Sequence, residues 1–135
     1  MRGNEIRLLA LDGGGIRGLS SLLILKQLML LVDPSSTSPP KPCEYFHMIG
    51  GTSTGGLIAI MLGRLRMTVD ECITAYTALS DKVFQNTSHR LSIKGDLQGR
   101  FDKQALEQAI KEIIVGRGLG EDCLLQDDPD SNCKV

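Results

Sequence analysis

The sequence has no tryptophan, two tyrosines and three phenylalanines in 135 residues, so it offers little material for an aromatic membrane anchor. It also lacks a charge imbalance. Fifteen Lys and Arg stand against sixteen Asp and Glu, a formal charge of −1. Without a basic field or a polybasic block, nucleic acid is excluded as a partner, and so is electrostatic capture by an anionic membrane. The four cysteines, Cys43, Cys72, Cys123 and Cys133, form no CxxC pair and no metal-ligand spacing with His47 or His89. They are expected to be reduced, small apolar residues, with no metal and no cofactor called for. Met1–Glu5 lacks the basic start and apolar core of a signal peptide. The most apolar stretch, Leu19–Val32, is interrupted by Lys26 and Gln27 and is expected to be too short to span a bilayer. The expected location is cytoplasmic or peripheral to a membrane.

What is present is ordinary for a globular chain: 41% apolar and 23% charged residues, enough for one modest domain. Ile6–Leu11 is an apolar run without alternation, as expected of a parallel strand buried on both faces. Leu19–Val32 reads as a helix apolar on most sides, hence buried, and Asp33–Pro42 (DPSSTSPPKP) as a connector that breaks it. Tyr45–Ile49 is expected to be a second strand, and Leu57–Leu62 a second buried helix ended by Gly63.

Thr68 and Glu71 form a capping box for a helix toward Phe84, with Val69, Cys72, Ile73, Tyr76, Leu79 and Val83 on one face. Asn86–Gly99 reads as a loop, and Asp102 as the N-cap of a further helix. That helix carries a stripe of Leu106, Ala109, Ile110, Ile113 and Ile114, and Gly116 is expected as its C-terminal glycine cap. The order strand, glycine loop, helix, strand, glycine loop, helix describes an α/β fold with a parallel sheet and flanking helices. Only two strands are evident, with Lys134-Val135 as the possible start of a third. Because so small a sheet is rarely stable alone, residues 6–135 are expected to be an N-terminal fragment of a larger domain.

Each glycine loop sits at a strand–helix junction. The second reads Gly50-Gly51-Thr52-Ser53-Thr54-Gly55-Gly56. A nucleophilic serine projecting from such a turn needs small residues two before and two after it, and Gly51 and Gly55 supply them. The following helix aims its N-terminal N–H groups at the same place. The first loop reads Asp12-Gly13-Gly14-Gly15-Ile16-Arg17-Gly18. Its consecutive glycines can turn backbone N–H groups into one concavity, suited to a phosphate or to the oxyanion of a tetrahedral acyl intermediate. Gly13, Gly15 and Gly18 also satisfy the dinucleotide pattern GxGxxG, although Asp33, the nearest acidic residue, precedes the second strand rather than ending it.

Together DGGGIRG at 12–18 and GTSTGG at 51–56 resemble the patatin-like phospholipases, acyl hydrolases with a Ser–Asp dyad in a three-layer α/β/α domain. The resemblance runs from Ile6 to about Ile114. It implies Ser53 as nucleophile, the backbone of Gly13, Gly14 and Gly15 as oxyanion hole, and Gly51, Thr52, Thr54 and Gly55 as the elbow around the serine. Arg17 would lie beside the site, holding the loop or facing a lipid head group. The implied partner is a lipid ester, met at a membrane surface, in a parent protein that can carry further domains.

The family's aspartate lies in a D-G-[GA] motif downstream of the elbow. Nothing after Ser53 matches: Asp96 precedes Leu97, and Asp127, Asp128 and Asp130 have no glycine after them. The chain is therefore expected to stop before its dyad acid and to be inactive alone. His47 precedes Ser53 by six residues, roughly 15 Å or more along the incoming strand, and is expected to bond locally. His89 is the weaker alternative as a base, and Asp81 reads as a surface charge. Two other readings stay open: a nucleotide-phosphate-binding module using Gly13–Gly18, and a non-catalytic truncated product.

Overall fold

A computed structural model of the chain describes residues 5–84, 103–126 and 128–135. Two strands, β1 (Leu8–Leu11) and β2 (Met48–Gly51), pair in parallel with Leu8 opposite Met48 and Leu11 opposite Gly51. The helices are α1 (Gly18–Val32), α2 (Pro42–Tyr45), α3 (Thr54–Ala59), α4 (Val69–Phe84) and α5 (Lys103–Gly116). The fold is α/β, a parallel sheet flanked by helices. The chain divides into two compact units, Met1–Thr74 with Leu124–Val135, and Ala75–Cys123.

In the first unit the core gathers Leu11, Leu22, Leu25, Met29, Ile49, Ile58 and Leu62, all buried. β1 is shorter than Ile6–Leu11 because its partner begins late. The pairing opens with the His47 N–H donating to the Arg7 carbonyl at 2.8 Å, and the residues before His47 turn away into α2. Tyr45 accordingly ends a one-turn helix instead of starting a strand. Pro42 supplies a fixed φ at the first helical position, and the Glu44 carboxylate accepts the Lys41 N–H at 3.1 Å. β1 is not buried on both faces either. Leu11 is buried and Leu9 half-buried, while Leu8 and its neighbour Met48 are 63% and 49% exposed on the other face. Burying both faces takes a covering layer on each, and within this unit one face is covered.

Helix α1 corrects two expectations. It buries one side, through Gly18, Leu22, Leu25 and Met29, and leaves Leu23, Ile24, Leu28, Leu30 and Leu31 exposed. Composition alone could not choose that face, because nearly every position is apolar. A 3₁₀ turn, Gly15–Arg17, precedes α1, so the helical run Gly15–Val32 has 18 residues and is long and apolar enough to cross a membrane.

Helix α3 begins at Thr54 and runs into a π-helical turn, Ile60–Arg64, closed by the Leu65 N–H on the Ile60 carbonyl at 3.0 Å. Gly63 lies inside this turn rather than ending the helix. A Cβ there would meet the side chain of Val135, which would have to shift to admit it. The tail reaches this point because Lys134 bridges β2 in parallel. Its N–H donates to the His47 carbonyl, and its carbonyl accepts the Ile49 N–H, both at 2.9 Å. The expected third strand is thus a single bridge.

The capping box opening α4 is present. The Thr68 N–H donates to Glu71 Oε2 at 2.8 Å, and the Glu71 N–H to Thr68 Oγ1 at 3.1 Å. In the second unit Leu79 and Val83 of α4 pack with Ala109, Leu106, Ile110 and Ile113 of α5. Lys82 and Glu112 pair across the two helices, and the Lys82 ammonium holds the Glu112 carboxyl below its usual range. Helix α5 is capped two residues later than Gly116. Gly118 has φ +76°, its N–H reaches the Val115 carbonyl at 2.9 Å, and the Leu119 N–H reaches the Ile114 carbonyl at 3.3 Å. That pair of bonds is a Schellman motif, which needs its left-handed residue just past the last turn. The expected loop Asn86–Gly99, His89, Asp96, the cap Asp102 and Asp127 lie outside the described residues.

Candidate active site

Strand β2 ends at Gly51 and helix α3 starts at Thr54, so Thr52 and Ser53 make the whole turn between them. The Thr52 N–H still belongs to the ladder, donating to the Leu11 carbonyl at 3.1 Å, and its carbonyl accepts the Gly55 N–H at 2.9 Å. The chain must reverse within one residue, and Ser53 absorbs the change with φ 53° and ψ −127°. An L-residue avoids this combination, so the backbone is strained at Ser53.

The turn closes so tightly that its flanks admit no side chains. A Cβ on Gly51 would lie 2.7 Å from the Leu11 carbonyl oxygen and collide with the backbone of Gly55. A Cβ on Gly55 would lie 2.8 Å from the Asp12 carbonyl oxygen and collide with the Leu11 carbonyl group. These partners are rigid backbone and have nowhere to go.

The first glycine loop lies against this turn. A Cβ on Gly13 would stand 2.8 Å from Ser53 Cβ and 3.5 Å from Ser53 Oγ. The Gly14 N–H donates to Thr54 Oγ1 at 3.2 Å, and Thr54 is only 6% exposed. Gly15 takes φ 57° and opens the 3₁₀ turn, in which the Arg17 N–H donates to the Gly14 carbonyl at 3.2 Å. Arg17 is exposed, and its aliphatic stem borders Gly14. The structure therefore brings Gly13, Gly14, Gly51, Thr52, Ser53, Thr54 and Gly55 together, with Arg17 at the margin. Ser53 and Gly13 are exposed, so the serine hydroxyl is open to a ligand.

The histidine on the incoming strand is engaged elsewhere. His47 Nδ1 accepts the Arg7 N–H at 3.0 Å. Asp12 is exposed, and Ser53 Oγ has no hydrogen-bond partner among the described residues. A dinucleotide site would want an acidic residue at the end of β2, where this chain has Gly50-Gly51. The bond from Gly14 to Thr54 carries no sequence signal, because it joins residues forty apart.

A family model described as patatin-like phospholipase matches residues 9–125. The chain belongs to the patatin-like phospholipase family. Among its relatives, calcium-independent phospholipase A2-gamma of Rattus norvegicus is 41% identical over 116 residues, covering 84% of this chain and 14% of that protein. Phospholipase A I of Arabidopsis thaliana is 36% identical over 113 residues, covering 82% of this chain and 8% of the relative. Patatin-T5 of Solanum tuberosum is 30% identical over 126 residues, covering 88% and 32%. This patatin-like chain thus spans about a third or less of these relatives' lengths. No solved structure matches it significantly.

Proposed function

We propose that this chain forms the nucleophile half of a lipid acyl hydrolase, with Ser53 as the attacking residue. The observation that carries the reading is the strained backbone of Ser53, held between Gly51 and Gly55 and faced by Gly13. Strain of this kind persists where the surroundings over-determine it, and functional sites are where it collects. Ser53 Oγ would attack the carbonyl carbon of a lipid ester, forming a tetrahedral intermediate. Its collapse expels the alcohol, and water then releases the acyl group.

The oxyanion of that intermediate would face the Gly13–Gly15 backbone and the N-terminal turn of α3. In this structure the Gly14 N–H is bonded to Thr54, so its service to an oxyanion requires exchanging that partner. Arg17 is a candidate for a lipid head group, and exposed Ile16 beside it for apolar contact at a membrane surface. Cys43, Cys72, Cys123 and Cys133 are thiols, which favours a reducing, cytoplasmic compartment.

A serine needs a base, and no D-G-[GA] follows Ser53 in the sequence. The dyad carboxylate would come from outside these residues, and the 135-residue chain alone should turn over little or no lipid ester. A fluorophosphonate probe tests the nucleophile in a longer protein containing this segment. It should label the parent at Ser53, and the label should vanish in Ser53→Ala with the circular dichroism unchanged. Persistent labelling of that variant would sink the assignment. Rapid ester hydrolysis by the 135-residue chain would overturn the need for an outside carboxylate.

A further inference from the structure

The connector between α1 and α2 carries four hydroxyls, and the structure sets Ser35 and Ser36 apart from Thr37 and Ser38. Ser35 Oγ donates to Asp33 Oδ1 at 2.6 Å, and Ser36 Oγ to the Ser38 carbonyl at 2.6 Å. Both hydroxyls are occupied in holding the turn. Ser38 is exposed, and its hydroxyl has no hydrogen-bond partner among the described residues. It alone of the four is followed by proline, in the run Ser38-Pro39-Pro40-Lys41.

Proline restricts the residue before it toward extended backbone, and Lys41 lies at φ −67° and ψ 144°, while Ser38 itself stands at a bend. Extended backbone is the form in which a protein kinase takes its substrate. Proline after the serine offers no N–H to be satisfied there, and Lys41 puts a cation three residues beyond the acceptor hydroxyl.

Ser38 also lines a cleft of about 100 Å³ together with Lys26 of α1 and Thr68, Val69 and Asp70 at the start of α4. Lys26 Nζ lies 2.6 Å from Asp70 Oδ1, and its side chain is 39% exposed, so it can exchange partners. A phosphoserine carries roughly −1.5 to −2 charges at neutral pH and three acceptor oxygens, more than a single carboxylate offers.

We propose that Ser38 is a phosphorylation site for a proline-directed protein kinase, and that the phosphate docks on Lys26 in place of Asp70. Ser38 Oγ attacks the γ-phosphorus of ATP, and the O–P bond forms as the bond to the bridging oxygen breaks. ADP leaves, and the hydroxyl proton passes to the kinase's general base. The consequence is an exchange of ties: the connector is pinned to α1, and the first turn of α4 is released from Lys26. This proposal is independent of the hydrolase reading.

The test is treatment of the 135-residue chain with a purified proline-directed kinase and ATP, followed by intact mass, peptide mapping and ³¹P NMR titration. One phosphate should map to Ser38 and be absent from Ser38→Ala. In the folded protein the second ionisation of the phosphoserine should lie roughly half a pH unit lower than in Lys26→Met, because a nearby cation favours the dianion. In urea the two should coincide. An unmodified Ser38, or modification that moves to Ser35, Ser36 or Thr37, overturns the site. Equal ionisation in the folded wild type and Lys26→Met overturns the docking on Lys26.

Discussion

The Gly14 N–H donates to the Thr54 hydroxyl at 3.2 Å, and this bond ties the two glycine loops together beside Ser53. Thr54 is buried but Gly14 is exposed, so the bond is part-buried and the donor left behind could still reach water. Thr54→Val should lower stability by about 0.5–1.5 kcal/mol, and Thr54→Ser, which keeps the acceptor, by less. Denaturant unfolding of the two variants checks it; a larger loss for Thr54→Ser than for Thr54→Val would mean that the methyl, not the hydroxyl, matters.

Three neighbouring glycines should respond differently to alanine. Gly51 and Gly55 would each drive a methyl into backbone, whereas an added Cβ on Gly50 meets nothing within 4 Å. Gly51→Ala and Gly55→Ala should cost at least about 2 kcal/mol, and Gly50→Ala should stay within about 0.5 kcal/mol. Thermal melts of the three variants are sufficient to rank them.

Ser53 sits at φ 53°, where glycine rests at no steric cost and alanine does not. Ser53→Gly should therefore be more stable than Ser53→Ala by about 1 kcal/mol, after the entropic cost of glycine is subtracted. Both substitutions remove the hydroxyl, so in a longer parent protein both should lose fluorophosphonate labelling. Equal stabilities would show that the elbow is relaxed.

Burial pushes the Cys72 thiol up to about 12, and it raises Cys43 as well. Near pH 8 only about one Cys72 in ten thousand would be thiolate, even if reagent could reach it. Cys123 is half-buried, whereas Cys43, Cys72 and Cys133 are buried. A disulfide-exchange reagent should titrate Cys123 first in the native protein and all four thiols in guanidinium. Fast reaction at Cys72 would mean that the start of α4 opens readily.

Elements held by local chemistry were legible from the residues. The α4 capping box spans three positions, and the stripe facing out of α5 follows from helical period alone. The structure differs where two local signals compete or where a non-local partner decides the outcome. Tyr45 belongs to α2 because Pro42 and Glu44 close a turn there, and β1 starts at Leu8 because β2 starts at Met48. The cap of α5 fell on Gly118 rather than Gly116 because either glycine can turn left-handed and only the helix's last carbonyls choose between them. Gly63 reads as a helix end in the sequence, but it lies inside the π-helical turn with the Val135 side chain against it.

For the site, residue types in order were enough to name a serine between two obligatory small residues and a second run of glycines upstream. Steric exclusion at a strand–helix turn depends only on which side chains are absent, and that is written in the sequence. What lies opposite those absent side chains is not. The carbonyls of Leu11 and Asp12 that close on Gly55, the approach of Gly13 to Ser53 and the bond from Gly14 to Thr54 exist only once β1 and β2 have paired. Parallel pairing sets the end of each strand beside the other and brings both loops to one edge of the sheet, across forty residues of chain.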